Sequence, residues 1–111
     1  MISAKSRVVR LAEEVVKAEA AYVASYEPPA LTLEQEDARE PEQARLCKLV
    51  HGKAKKLARL DAKTLPEIVA RARAALAIAS KTSSGEVLVS SDADALAYQA
   101  LKEIVALASA G

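Results

Sequence analysis

The sequence predicts an all-α protein, a four-helix domain built on a long antiparallel helical hairpin with two shorter helices. Apolar residues recur at spacings of three and four along four segments, which is the period of an α-helix. Prolines and helix-capping patterns fall between these segments. Half of the residues, 51%, are hydrophobic, but alanine supplies many of them, and Phe and Trp are absent. A chain of 111 residues is ordinarily one domain, so we assign residues 1–111 to a single domain.

The first helix is predicted from Ser3 or Ser6 to Tyr26. Pro28 and Pro29 end it, because a proline ring donates no backbone hydrogen bond and disfavours helical geometry in the residue before it. The apolar positions repeat every seven residues as a double row, which is typical of a core-facing helix. This row is Val8, Val9, Ala12, Val15, Val16, Tyr22, Val23 and Tyr26.

Residues 42–60 predict the long central helix of the chain, and a short proline loop makes it antiparallel to the first. Its apolar face is Leu46, Leu49, Val50, Leu57 and Leu60. Thr32 and Gln35 form a capping pattern for a short acidic turn of helix, which Pro41 kinks or separates from the central helix. Gly52 costs about 1 kcal/mol in a helix interior. It either permits close approach of a neighbouring helix or is a tolerated defect.

The third helix is predicted over residues 65–80, because Thr64 and Glu67 form a capping box and Pro66 lies in the first turn. Its inward face is Leu65, Ile68, Val69, Ala72, Leu76 and Ala79. Residues 81–91 form a loop in which residues 87–89 make an apolar patch. Ser91 and Asp94 suggest a cap for a fourth helix over residues 92–108. Its stripe is Leu96, Ala100, Leu101, Ile104, Leu107 and Ala108.

Residues 62–76, AKTLPEIVARARAAL, resemble a segment of small uncharacterised bacterial helical-hairpin proteins. In those proteins a long hairpin is followed by a Thr-Leu-capped helix rich in Ala and Arg, and then by a last helix after a loop. The resemblance implies the same layout for this chain. It implies no activity and no site residues.

The charge is unevenly distributed, although the net charge is only +1. Residues 27–45 hold six acidic and two basic side chains, net −4, whereas residues 46–73 hold eight basic and two acidic ones, net +6. This bipolar layout suits head-to-tail contact between copies of the chain or an acidic partner for the basic half. Two solvated helix faces would produce the same pattern.

An alanine-rich core buries little apolar area per residue, so we expect a partner or a second copy of the chain to complete it. We therefore expect a non-enzymatic helical protein that acts through protein contacts, as a homodimer or as a subunit of a complex. The interface would use the Val and Tyr rows of the first helix or the stripe of the fourth. No nucleophile elbow, phosphate loop or paired carboxylate points to an enzyme, and we expect no cofactor.

Nucleic-acid binding is the alternative function, because cations are concentrated on and after the second helix. The near-neutral net charge and the absence of interleaved aromatic residues weigh against it. The candidate residues are Lys53, Lys55, Lys56, Arg59 and Lys63.

Cys47 and His51 form a third candidate, a metal or thiol site, because residues four apart share a helix face. A closed zinc site needs about four ligands and a Cys–His nucleophile needs an orienting group, so we expect neither metal nor catalysis there. A single cysteine forms no internal disulfide, which fits a reducing compartment. Without a signal peptide or membrane span, we expect a cytoplasmic protein.

Overall fold

The computed structural model describes residues 6–79 and 92–110, with the side chains of the second range described from residue 97 onward. These residues form four helices, α1 (Arg7–Ala24), α2 (Leu33–Arg59), α3 (Leu65–Ile78) and α4 (Asp92–Ala110), and contain no strand. The predicted all-α, four-helix fold is confirmed, although α4 with 19 residues is no shorter than α1 with 18. The predicted start at Ser3, the 81–91 loop and the cap at Ser91 lie outside the described residues.

Helices α1 and α2 form the predicted antiparallel hairpin. The side-chain amide of Gln43 donates to the carbonyl of Ser25 over 3.2 Å near the connection. Farther along, the Lys53 ammonium lies 2.9 Å from the Glu14 carboxylate. Ser6 caps α1 by accepting a hydrogen bond from the Val9 amide. The helix ends at Ala24, two residues before the predicted end, because Ser25 and Tyr26 form a turn ahead of the prolines.

Helix α2 runs without a break through Pro41, so the predicted restart at this proline is wrong. Thr32 accepts from the Gln35 amide over 3.1 Å, and this cap starts the helix at Leu33. Proline removes only one helical hydrogen bond, the one to the carbonyl four residues earlier. Pro41 and Asp37 are both exposed, so water can solvate that carbonyl, and the helix continues.

The core lies where α1 is packed between α2 and α3. Val15 is completely buried, and its neighbours in the core cluster are Val8, Leu11, Ala12, Leu57 and Ala74. The predicted row on α1 is only partly right, because Val16, Val23 and Tyr26 are 40%, 52% and 50% exposed while Leu11 and Ala18 are buried. Helix α4 packs mainly against α3, so it leaves one face of α1 open.

Helix α3 begins at the predicted capping box, which is confirmed in both directions. Thr64 accepts from the Glu67 amide, and the Glu67 carboxylate accepts from the Thr64 amide over 3.1 Å. The inward face is partly wrong, since Leu65 and Ile68 are 64% and 38% exposed. The helix ends at Ile78 instead of Ser80.

The predicted stripe of α4 is also only partly covered. Leu101 and Ile104 are half-buried, whereas Ala100 and Ala108 are exposed and Leu107 is 77% exposed. Leu96 falls where side chains are not described. The C-terminal part of α4 therefore carries apolar side chains that nothing in the described chain covers.

Candidate functional site

A broad groove, here called the apolar groove, lies between α1, α3 and the C-terminal part of α4 and has a volume of about 890 Å³. Val9 and Val16 of α1, Leu65 and Val69 of α3, and Leu107 of α4 line it. Leu65 and Leu107 are among the most exposed large hydrophobic side chains in the described chain. An apolar surface this continuous is typical of a protein-binding region.

The helices place these side chains together by their period. Val9 and Val16 are seven residues apart, and Leu65 and Val69 four apart, so each pair shares one face of its helix. Charged groups stand among the apolar lining, with Glu13 and Lys17 on α1 and Arg73 on α3. The groove thus has an apolar floor and charges of both signs.

The groove contains parts of both surfaces that the sequence predicted as an interface. It combines Val9 and Val16 from the predicted row of α1 with Leu107 from the stripe of α4. Sequence reasoning missed the contribution of Leu65 and Pro66, because the capping pattern placed Leu65 on the inward face. Their apolar character at the start of α3 was the available signal, but only the packing of α4 shows that nothing covers them.

A second depression, here called the cationic cleft, lies between α1 and α2 and has a volume of about 640 Å³. Five basic side chains line it, together with Leu11 and the carboxylates of Glu13 and Glu14. The basic residues are Arg7, Arg10, Lys17, Lys53 and Lys56.

The pKa of Glu14 reflects the positive charge of the cationic cleft. The Lys53 ammonium, 2.9 Å away, donates a hydrogen bond that lowers the pKa of Glu14, and the charges of Arg10 and Lys56 lower this pKa further. Cations from both helices therefore stabilise one negative charge at this position.

The structure does not bring the five predicted basic residues onto one surface. Lys53 and Lys56 line the cationic cleft, whereas Lys55 and Arg59 lie two residues on either side of buried Leu57. Two residues correspond to about 200° of helix rotation, so both point away from the core. Lys63 follows the end of α2 and is exposed. Sequence reasoning missed the cations of α1, whose spacing along one flank was the available signal.

Cys47 and His51 line a smaller depression of about 410 Å³ together with Glu19 and Tyr22. The thiol is half-buried and the imidazole is exposed. Within the described part of the chain, no group of three His, Cys, Asp or Glu residues is arranged to hold a metal ion.

Tyr22, which lines this depression, has a raised pKa. Its hydroxyl lies 3.2 Å from the hydroxyl of Tyr26, and the two rings meet edge to face with centroids 5.4 Å apart. The hydrogen bond with Tyr26, followed by burial and the charge of Tyr26, raises the pKa of Tyr22 to about 12, with a smaller effect from Cys47. The arrangement keeps this phenol neutral at physiological pH.

No protein-family model, curated protein or solved structure matches the chain. The resemblance of residues 62–76 to bacterial helical-hairpin proteins therefore stays a prediction. Among the described helices, none combines the length and the apolar character needed to cross a bilayer. The surfaces themselves are the evidence for function.

Proposed function

We propose that the protein is non-enzymatic and acts through protein contacts, as a homodimer that buries the apolar groove against a second copy of the chain. The observation that supports it is the groove itself, about 890 Å³ in volume and lined by α1, α3 and α4. Burial of exposed apolar surface is the main favourable contribution to protein association.

The charges in the groove favour a second copy as the occupant. A twofold-symmetric contact places one patch against the same patch of the partner, so a charged patch must hold both signs to complement itself. The groove meets this requirement, because it holds the negative charge of Glu13 and the positive charges of Lys17 and Arg73. A patch of one sign would repel its own copy.

Shape supports the same occupant. Leu107 is 77% exposed at one wall of the groove, so it is available as an anchor that enters the groove of the partner. Burial of this side chain in the partner would add hydrophobic free energy to the association. A stable contact buries about 800 Å² on each partner, which requires the apolar face of α1 beyond the groove to take part.

The thin core gives the association a stabilising role. The described buried residues are valine, leucine and alanine, with no buried aromatic side chain. A core of this composition contributes little hydrophobic free energy. A dimer interface would extend it with Val16, Leu65 and Leu107, which are now exposed.

The mass of the purified protein in solution, measured by analytical ultracentrifugation over a wide concentration range, tests the proposal. We expect dimers that dissociate on dilution, and a melting temperature that rises with concentration. Leu107→Glu should shift the protein to monomers, because the dimer would bury an unpaired carboxylate.

Leu31→Glu is the matched control, since Leu31 is 87% exposed and lies outside the groove. It introduces the same charge and should leave the dimer intact. A monomer at every concentration would contradict the proposal. If Leu107→Glu and Leu31→Glu dissociate equally, the interface lies outside the apolar groove.

A further inference from the structure

We propose that the cationic cleft between α1 and α2 binds the phosphodiester backbone of duplex nucleic acid. Four of the cations that line it, Arg7, Arg10, Lys17 and Lys56, have no ion-pair partner within the described chain. Lys53 is paired with Glu14, and Glu13 is the other carboxylate. The lining therefore keeps a net positive charge after its internal ion pair is counted.

The position of the cations suits a row of phosphates. Arg7, Arg10 and Lys17 lie three and seven residues apart along one flank of α1. A rise of 1.5 Å per residue makes this row about 15 Å long. A single phosphate group contacts only part of such a row, whereas successive phosphates of one strand follow it. Lys53 and Lys56 face the row from α2 across the cleft.

The lowered pKa of Glu14 is a consequence of the same positive field. The pKa of its exposed carboxyl is lowered by Lys53 and, at longer range, by Arg10 and Lys56. These three cations belong to two helices, and all line the cleft. An anionic ligand placed between the helices would be stabilised by the same cations.

The lining favours the backbone of a duplex over unpaired bases. Within the described residues it includes no aromatic side chain. Proteins that hold single strands without sequence preference rely on stacking between bases and aromatic rings. A cleft with cations alone contacts phosphates, and such contacts carry no sequence information. Binding should therefore be independent of sequence and steeply dependent on salt.

The cleft and the apolar groove lie on adjacent flanks of α1, and Glu13 and Lys17 line both of them. Arg7 and Arg10 line the cleft, whereas Val9 and Val16 line the groove. Arg7, Arg10, Lys53 and Lys56 line the cleft and are absent from the lining of the groove. The inference therefore does not rest on the proposed dimer, and a monomeric protein would still present the cleft.

Fluorescence anisotropy with a labelled random-sequence duplex, at low and at physiological salt, tests the inference. We expect binding that weakens steeply as salt is raised. The double variant Arg10→Gln and Lys56→Gln should weaken binding at low salt on the order of tenfold, and should reduce the slope of log K against log salt by about 1.8, since each lost phosphate contact contributes about 0.9.

Lys55→Gln combined with Arg59→Gln is the matched control, since it removes the same charge from the outer side of α2. This variant should bind nearly as well as the wild type. Equal or greater loss in the control would overturn the inference and would assign binding to the outer side. No binding of the wild type at low salt would also overturn it.

Glu14→Gln should strengthen duplex binding, a result that a misfolded variant would not give. It removes the carboxylate paired with Lys53, so another cation becomes available to phosphates. We expect tighter duplex binding, and unchanged or weaker binding would overturn the inference.

Competition with inorganic tripolyphosphate distinguishes a site for a nucleic-acid strand from a site for a small anion. If tripolyphosphate displaces the duplex when both supply the same concentration of phosphate groups, the duplex assignment is overturned. If the complex with the duplex persists, the assignment is supported.

Discussion

The guanidinium of Arg71, on α3, donates a hydrogen bond of 2.8 Å to the backbone carbonyl of Leu60, the capping residue directly after α2. The last carbonyls of a helix have no partner within the helix, so they need one from outside. A cation is also favourable at this negative end of the helix dipole. Arg71 therefore fixes the position of α3 against the end of α2.

Arg71→Ala should lower the free energy of unfolding by about 1–2 kcal/mol, because a half-buried, charge-assisted hydrogen bond to a backbone carbonyl is lost. Urea denaturation measures this directly. Arg73→Ala is the control, since Arg73 is exposed and its contact with the Ser109 hydroxyl is long, at 3.5 Å. Equal losses in the two variants would show that the Leu60 contact is not stabilising.

Glu14 and Lys53 link the middle of α1 to α2, and the pair gives a prediction for pH. The pKa of Glu14 is lowered, so its contribution to stability is present above the ordinary pKa of glutamate and is lost as the pH falls through the folded-state value. Lys53→Gln should raise this pKa towards its ordinary range, although Arg10 and Lys56 still lower it, and NMR titration measures the change.

Glu67 provides the internal reference for that titration. Its pKa is lowered by the backbone amide of Lys63, the Ser6 hydroxyl and Thr64, none of which involves Lys53. The pKa of Glu67 should therefore stay low in Lys53→Gln. Parallel changes in both carboxyl groups would indicate a general loss of structure instead of a lost ion pair.

The sequence was sufficient for the helices but not for the faces they bury. The capping box at Thr64 and Glu67 is a local interaction, so three residues of spacing predict it correctly. The exposure of Val16 and Leu65 depends on where α4 packs, which no local pattern contains. The burial of individual side chains is therefore the weaker part of the sequence prediction.

The candidate sites show the same division. The sequence identified Lys53 and Lys56, but it grouped them with Lys55 and Arg59 on one basic face. The cleft is instead formed with Arg7 and Arg10, more than forty residues away in the chain. Arg71 was part of the same basic half, yet it stabilises the end of α2. Charge counts do not distinguish a binding cation from a structural one.

Tyr22 gives a second prediction for pH. Its pKa is raised to about 12, mainly by the hydrogen bond with Tyr26. A group with a raised folded-state pKa contributes stability below its ordinary value, near 10 for tyrosine, and this contribution is lost as the pH rises through about 12. Tyrosinate absorbance should show a phase near that pH.

Tyr26→Phe should move this phase towards the ordinary tyrosine pKa, because the hydrogen bond between the two hydroxyls is removed. Tyr22→Phe should abolish it. Tyr98→Phe, on α4, is the control and should leave the phase in place. Persistence of the phase in Tyr26→Phe would show that the hydrogen bond is not its cause.

Gly52 separates two interpretations that the sequence left open. A Cβ atom built at this position meets no heavy atom within 4 Å, so no helix in the described part of the chain approaches Gly52 closely. Gly52→Ala should therefore raise the free energy of unfolding by about 1 kcal/mol, the helix-propensity difference, and the melting temperature by about 4 °C. Ala44→Gly, at an exposed interior position of the same helix, should lower both by similar amounts. Thermal melts of the two variants check the pair, and a destabilised Gly52→Ala would restore the close-approach interpretation, with a partner chain as the approaching surface.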